Sequence, residues 1–324
     1  SFASQILANR GTYGWGGGWG ADSYMIARYA GLQPQIVYDE AIQKNGLDQY
    51  KVLFLTHADV LTQSVADEIK KFQQRGGLVI GDEFLAPAIQ PDILLTSINR
   101  GKPDETKKLL LQKAAGLREE LDAFYQLPLE SDNPEIITRR RRFGSSDYVF
   151  TVNDNRTYGD YVGQYKKVME KGLPSQGRIS LNRDGGFVYD LMNRKPVPTT
   201  KIKGATQFGV SLGAGEGNVF LVTDKAAGAL QVTVANSAAR GGSTPITVQL
   251  NDNLGKPLQA VVPMEVTIRD PQNRLAEKSG FYGAANGKLS LALELAPNDL
   301  PGKWQIEVRE GLRGQKVTKN LTVK

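Results

Sequence analysis

Over residues 1–130, short runs of consecutive apolar side chains alternate with stretches whose apolar positions recur every three or four residues. Residues 6–8, 35–38, 52–55 and 78–80 read as strands, and residues 4–9 together look like a buried one. A helix is expected over 23–29, capped by Asp22 and stopped by Gly31. A second follows Leu61 and Thr62, where Val65, Ile69 and Phe72 share one face, Lys70 and Lys71 point outward, and Gly76-Gly77 ends it. Residues 104–125 form a Lys/Leu-rich helical stretch whose apolar face includes Leu109, Leu110, Leu117 and Leu121. Fully apolar strands separated by amphipathic helices predict a parallel sheet covered on both faces.

Near residue 135 the apolar period changes to two. Strands are expected over 148–152, 186–190, 207–210 and 218–222, with one helical insertion over 158–171. The last hundred residues repeat this grammar over 230–234, 246–250, 264–268, 288–293, 304–308 and 317–323. Their spacing and their Asp-Asn, Asp-Pro and Pro-Gly turns fit an immunoglobulin-like sandwich. The expected architecture is α/β plus all-β: a flavodoxin-like parallel sheet with helices on both faces over 1–134, then β-sandwiches over 135–226 and 227–324.

Composition narrows the chemistry. The 324 residues include no cysteine and one histidine. Disulfides, thiolate metal sites and a cysteine nucleophile are excluded, and at most one imidazole base is available. No metal and no cofactor are expected. The net charge of +6 is mild, and its one dense run, Arg139 to Arg142, sits at a strand start. That run reads as a solvated edge or a surface for an acidic partner rather than a nucleic-acid site, because no aromatic side chains interleave it. No apolar run reaches the about 18 residues of a membrane helix, so no membrane span is expected. Ser1 is not a natural start and no signal peptide follows it, so the chain reads as a fragment or processed product.

The run Lys51-Val-Leu-Phe-Leu-Thr-His-Ala-Asp59, then Leu61-Thr62, Ile69-Lys-Lys-Phe72 and Gly76-Gly77-Leu-Val-Ile80, resembles class I glutamine amidotransferase-like domains. It is more similar still to the non-catalytic version carried as the trimerisation domain of family 42 β-galactosidases. Active amidotransferases place a cysteine on a sharp turn after such a strand; here the turn reads Gly81-Asp82-Glu83. The resemblance therefore implies a scaffold without the nucleophile. Val149-Phe-Thr-Val-Asn153, Phe187-Val-Tyr-Asp-Leu191 and Gly213-Ala-Gly-Glu-Gly217 resemble the small β-domains that follow glycosidase barrels. Ile268-Arg-Asp-Pro-Gln272 and Leu300-Pro-Gly-Lys-Trp304 resemble macroglobulin-type sandwich domains.

Ligands of open α/β sheets bind beyond the carboxyl ends of the strands. That edge would gather Asn9, Arg10, Tyr38, Asp39, Thr56, His57, Asp59, Asp82 and Glu83. His57, Asp82 and Glu83 are the candidate catalytic groups, two acids and an imidazole for acid–base hydrolysis. Capping by Asp39, Asp59 and Asp82 is the commoner use of aspartate at such turns. In Gly14-Trp-Gly-Gly-Gly-Trp-Gly20 the third glycine place of a dinucleotide fingerprint falls on Trp19, and no P-loop lysine follows. Tyr13, Trp15 and Trp19, with Arg10, Asp39 and Asp59, are the candidate ligand-binding residues. The tryptophans would either stack on a sugar ring or a base, or pack against a neighbouring domain or subunit.

The expected function is a non-catalytic accessory or oligomerisation region of a larger, secreted or periplasmic, carbohydrate-active protein. Its expected partners are a glycan, a missing catalytic module or other protein domains, and further copies of itself. Two alternatives remain: a hydrolase using the strand-end acids and His57, and a protein-binding or adhesive module.

Overall fold

The computed structural model describes residues 19–162 and 167–324. It is mostly β-sheet with few helices, and it divides into two compact units. One gathers Ser1–Pro128, Asn133–Ile137 and Asp154–Leu173; the other gathers Leu129–Asp132, Thr138–Asn153 and Pro174–Lys324.

The first unit holds helices α1 (Trp19–Tyr29), α2 (Asp39–Ile42), α3 (Gln63–Gln74) and α4 (Pro103–Asp122). Between them lie strands β1 (Val52–Leu55), β2 (Leu78–Gly81) and β3 (Ile93–Leu94), parallel and in that spatial order. Val52 pairs with Leu78 and Ile80 with Ile93. Because side chains alternate along a strand, the sheet has two apolar faces. Val52, Phe54, Leu78 and Ile80 meet α1 and α4 through Ile26, Leu110, Leu117 and Leu121. Leu53, Leu55 and Val79 meet α2 and α3 through Ile42, Val65, Ile69 and Phe72. The expected face of α3 is thus the buried one, and Thr62 caps it by accepting the Val65 N–H at 3.4 Å. Leu109 is exposed while Leu110, Leu117 and Leu121 cover the sheet.

Three expected features differ here. Residues 35–38 form no strand among the described residues, with Ile36 and Tyr38 exposed at 64% and 66%. A strand exists only with a hydrogen-bonded neighbour, which local sequence cannot supply. Asp22 lies inside α1 rather than ahead of it, because the helix begins at Trp19. Gly31 does end that helix at φ +76°, where the N–H of Leu32 returns to Ala27 O at 3.0 Å. Finally, the helix expected over 158–171 is a hairpin, Arg156–Val162 pairing antiparallel with Lys167–Gly172 around residues 163–166, which lie outside the described set. Tyr158, Tyr161 and Val162 favour extended backbone, and Gly159 weakens a helix.

The second unit contains two sandwiches. One faces the sheet Lys195–Val197, Phe187–Asp190, Gly217–Thr223, Ser146–Asn153, Ile136–Phe143 with the sheet Thr200–Ile202, Ala205–Leu212, Ser175–Leu181, Leu129–Ser131. Phe208 and Phe220, one from each sheet, meet with ring centroids 5.0 Å apart. Leu129–Ser131 precedes the boundary expected at 135 and pairs with Ser175–Leu181.

The other sandwich has a three-stranded sheet, Ala227–Thr233, Ser243–Asp252, Lys288–Glu294. Opposite it lie Ser237–Ala238, Lys316–Val323, Gly302–Glu310, Val262–Arg269 and Gly280–Ala284. Ile246, Val248, Met264, Ile268, Trp304 and Ile306 alternate inward to build its core.

Tyr148 joins the two sandwiches. Its hydroxyl donates to Val261 O and accepts the Val261 N–H at 2.8 Å, while Ser146 Oγ donates to Gln259 O at 2.6 Å. Burial pushes the Tyr148 phenol up despite the Val261 hydrogen bond. Tyr148→Phe leaves both Val261 groups unsatisfied and is expected to cost about 1–3 kcal/mol. Urea unfolding checks this as a lower midpoint at unchanged slope.

Candidate functional site

Parallel β1 and β2 deliver the Thr56-His57 and Asp82-Glu83 turns to the same edge of the sheet, as expected. His57 occupies the left-handed region at φ +52°, a conformation that costs a side-chain-bearing residue energy. Asp82 holds it there: its Oδ2 accepts the His57 N–H at 2.6 Å, and its Oδ1 accepts the Phe84 N–H at 3.1 Å. The His57 ring meets the Phe84 ring edge-on at 5.0 Å. No helix starts at Asp82, so this buried carboxylate closes a turn and ties it to the neighbouring loop.

Glu83 reaches Ser97 instead. Its two oxygens accept the Ser97 N–H at 3.0 and 3.2 Å, and one also accepts the Ser97 hydroxyl. Slight burial pushes the Glu83 carboxyl up, but the bonds from Ser97 outweigh it and hold the group below the ordinary range. A general acid for glycoside cleavage needs the opposite shift. Asp82 and Glu83 thus stand at one edge but serve different loops.

Two further contacts at this end were not visible in the sequence. Arg100 grips Asp22 with Nε at 2.9 Å and Nη2 at 2.7 Å, and Ser23 Oγ lies 3.1 Å from Thr56 Oγ1. The partners are 78 and 33 residues apart, and no local pattern marks Arg100 or Ser23. Asp39 is the first residue of α2 and lines a cavity of about 520 Å3, whose walls include Ser23, Tyr24, Ile36, Phe54 and Thr56. Asp59 is half-buried in the loop after β1, and Tyr38 is exposed. Trp19 opens α1; Asn9, Arg10, Tyr13 and Trp15 lie outside the described residues.

Among the described residues no group of three or more histidine, aspartate or glutamate side chains is placed to hold a metal, and no helix is long and apolar enough to cross a membrane. The arginine run splits by strand alternation. Arg140 and Arg142 turn to the buried Asp147 at 2.6 and 3.5 Å, although Arg142 stays exposed, as Arg139 and Arg141 are.

No protein-family profile and no curated protein matches this chain. Among solved structures, a rhamnosidase from Novosphingobium sp. PP1Y aligns with 82% of this chain and 29% of its own, at 12% identity and TM-score 0.33. Domains 4 and 5 of the S-layer protein SbsC align with 60% of this chain and 74% of theirs, at 13% identity and TM-score 0.24. The Lin-41 filamin domain aligns with 29% of this chain and 91% of its own, at 18% identity and TM-score 0.23.

Proposed function

We propose that this chain is a non-catalytic accessory or oligomerisation region of a larger, secreted carbohydrate-active protein. In this reading residues 1–134 are an amidotransferase-like framework, 135–226 and 227–324 are accessory sandwiches, and Trp15 and Trp19 contact glycan. The observation that carries it is the commitment of the strand-end acids. Asp82 is occupied by the N–H groups of His57 and Phe84, and Glu83 by Ser97, where a hydrolase would present one carboxyl in its acid form. Absence of cysteine removes the amidotransferase nucleophile from the same edge.

The test is an assay of the purified chain on nitrophenyl glycosides and glutamine, with Glu83→Gln and His57→Ala alongside. The expected result is no turnover by any of the three, and unchanged oligosaccharide titrations for both variants. Trp15→Ala is expected to weaken oligosaccharide binding about tenfold, the scale of one lost stacking contact. A hydrolytic rate abolished by either variant would establish the enzyme instead, and a Trp15→Ala titration equal to the parent's would remove the glycan contact.

A further inference from the structure

We propose that the strand Ile136–Phe143 of the second unit takes up an acidic peptide as a further strand, with Arg139 and Arg141 pairing with its carboxylates. This strand is the last of its five-stranded sheet, with Ser146–Asn153 beside it on one side only among the described residues. Arg139 and every residue from Arg141 to Ser145 are exposed, so its outer edge meets solvent. An edge strand turns alternate N–H and C=O groups outward, a template for another chain. The two faces of this edge differ. Asp147, Val149, Thr151 and Asn153 are buried, and Arg140 and Arg142 turn to Asp147. Period-two alternation therefore sets Arg139, Arg141 and Phe143 on the opposite face, with Phe150 and Val152 of the neighbouring strand. Phe143, Phe150 and Val152 are exposed.

Charged side chains on an edge strand commonly serve only to keep other strands away. Such a guard is solvated and needs no apolar neighbours. Here three exposed apolar side chains share a face with the two arginines, and exposed apolar patches mark contact surfaces. Among the described residues no carboxylate pairs with Arg139 or Arg141, whereas Arg140, Arg142 and Arg183 are all held by Asp147. The two guanidinium groups therefore carry uncompensated charge. They also repeat every second residue, the period at which an extended chain places its side chains on one face. A strand added to Ile136–Phe143 sets carboxylates two residues apart opposite Arg139 and Arg141, and an apolar side chain opposite Phe143. Charge complementarity selects an acidic partner, and the matching period selects an extended peptide. This assignment does not depend on the glycan reading.

Calorimetric titration of the intact chain at low salt tests it. The probe is a capped peptide with glutamate at two alternate positions, valine at the next and threonine between them, made in both chain directions. One direction is expected to bind, and to weaken about tenfold or more when Arg139→Glu and Arg141→Glu are combined, because two attractive cross-strand pairs become repulsive. Both substitutions fall on exposed side chains, so the melt should match the parent's. Changes in the peptide leave the protein untouched. Setting its glutamates side by side sends one to the other face and should weaken binding about threefold. N-methylating alternate amides should weaken it about tenfold in one phase and little in the other, since only one set faces the edge. No binding in either direction at millimolar peptide, equal affinity for the charge-reversed variant, or indifference to glutamate spacing and N-methylation would overturn the assignment. So would polygalacturonate binding that requires Arg139 and Arg141 while neither peptide binds, since the face would then belong to an anionic glycan.

Discussion

Replacing Asp147 with alanine is expected to destabilise the second unit by about 3–5 kcal/mol, the cost of removing one partner from a buried ion cluster. Asp147 is 0% exposed, and Arg140 and Arg183 contact its two oxygens at 2.6 and 2.8 Å. Arg183 is itself almost buried and also bonds Asp224. Alanine would leave the two guanidinium groups facing each other without the charge between them. Burial alone would push the Asp147 carboxyl up; the hydrogen bonds from Arg140 and Arg183 outweigh it and hold the group below the ordinary carboxylate range.

A folded-state value below the unfolded one fixes the sign of the pH dependence. The stabilisation is complete above the unfolded value of about 3.9 and is lost as the pH falls through the lower folded one. Urea midpoints measured from about pH 6 down to about pH 2 should therefore drop more steeply for the parent than for Asp147→Asn, whose amide does not titrate there. Parallel curves would show that Asp147 contributes no such linkage.

Phe72→Ala is expected to cost the first unit about 3–5 kcal/mol, as the loss of a fully buried aromatic ring does. Phe72 is 0% exposed in the α3 face of the sheet. Gly77 lies directly against the ring: a Cβ there would sit 2.4 Å from Cζ and 2.5 Å from Cε1 and Cε2. The two positions are therefore coupled. Gly77→Ala alone should destabilise by overpacking, about 1–3 kcal/mol. Gly77→Ala in the Phe72→Ala background should cost clearly less, because the ring it strikes is gone. A denaturant double-mutant cycle reads this as a non-additivity of about 0.5 kcal/mol or more; additive costs would contradict the contact.

Period-two alternation made six strands of the terminal sandwich legible, though not Ser237–Ala238 or Gly280–Ala284, because inward and outward residues differ in chemistry at every step. Ile246, Val248 and Leu250 lie where that alternation places them. Short strands carry too few residues for a period: Ile93–Leu94 and Leu129–Ser131 have two and three, and neither shows in the apolar pattern. The 158–171 segment failed differently. A helix is expected there, yet its tyrosines and glycine favour the hairpin. At the candidate site, His57, Asp82 and Glu83 were recognisable as strand-end residues, but their partners Ser97 and Phe84 were not. The Ser97 bonds leave no trace in spacing, since they join loops 14 residues apart, whereas the Asp82–Phe84 bond is a local turn contact two residues long.

By itself, then, the amino-acid order determined the two periodicities, the α/β-then-β succession, the buried face of α3 and the absence of thiol chemistry, all properties of residue type and near neighbours. Tertiary structure alone decided which backbone segments pair, that Asp147 is the hub of an arginine cluster, and that the strand-end acids are already hydrogen-bonded. Those outcomes depend on groups brought together over separations such as the 36 residues from Asp147 to Arg183, and no local propensity encodes their mutual distance.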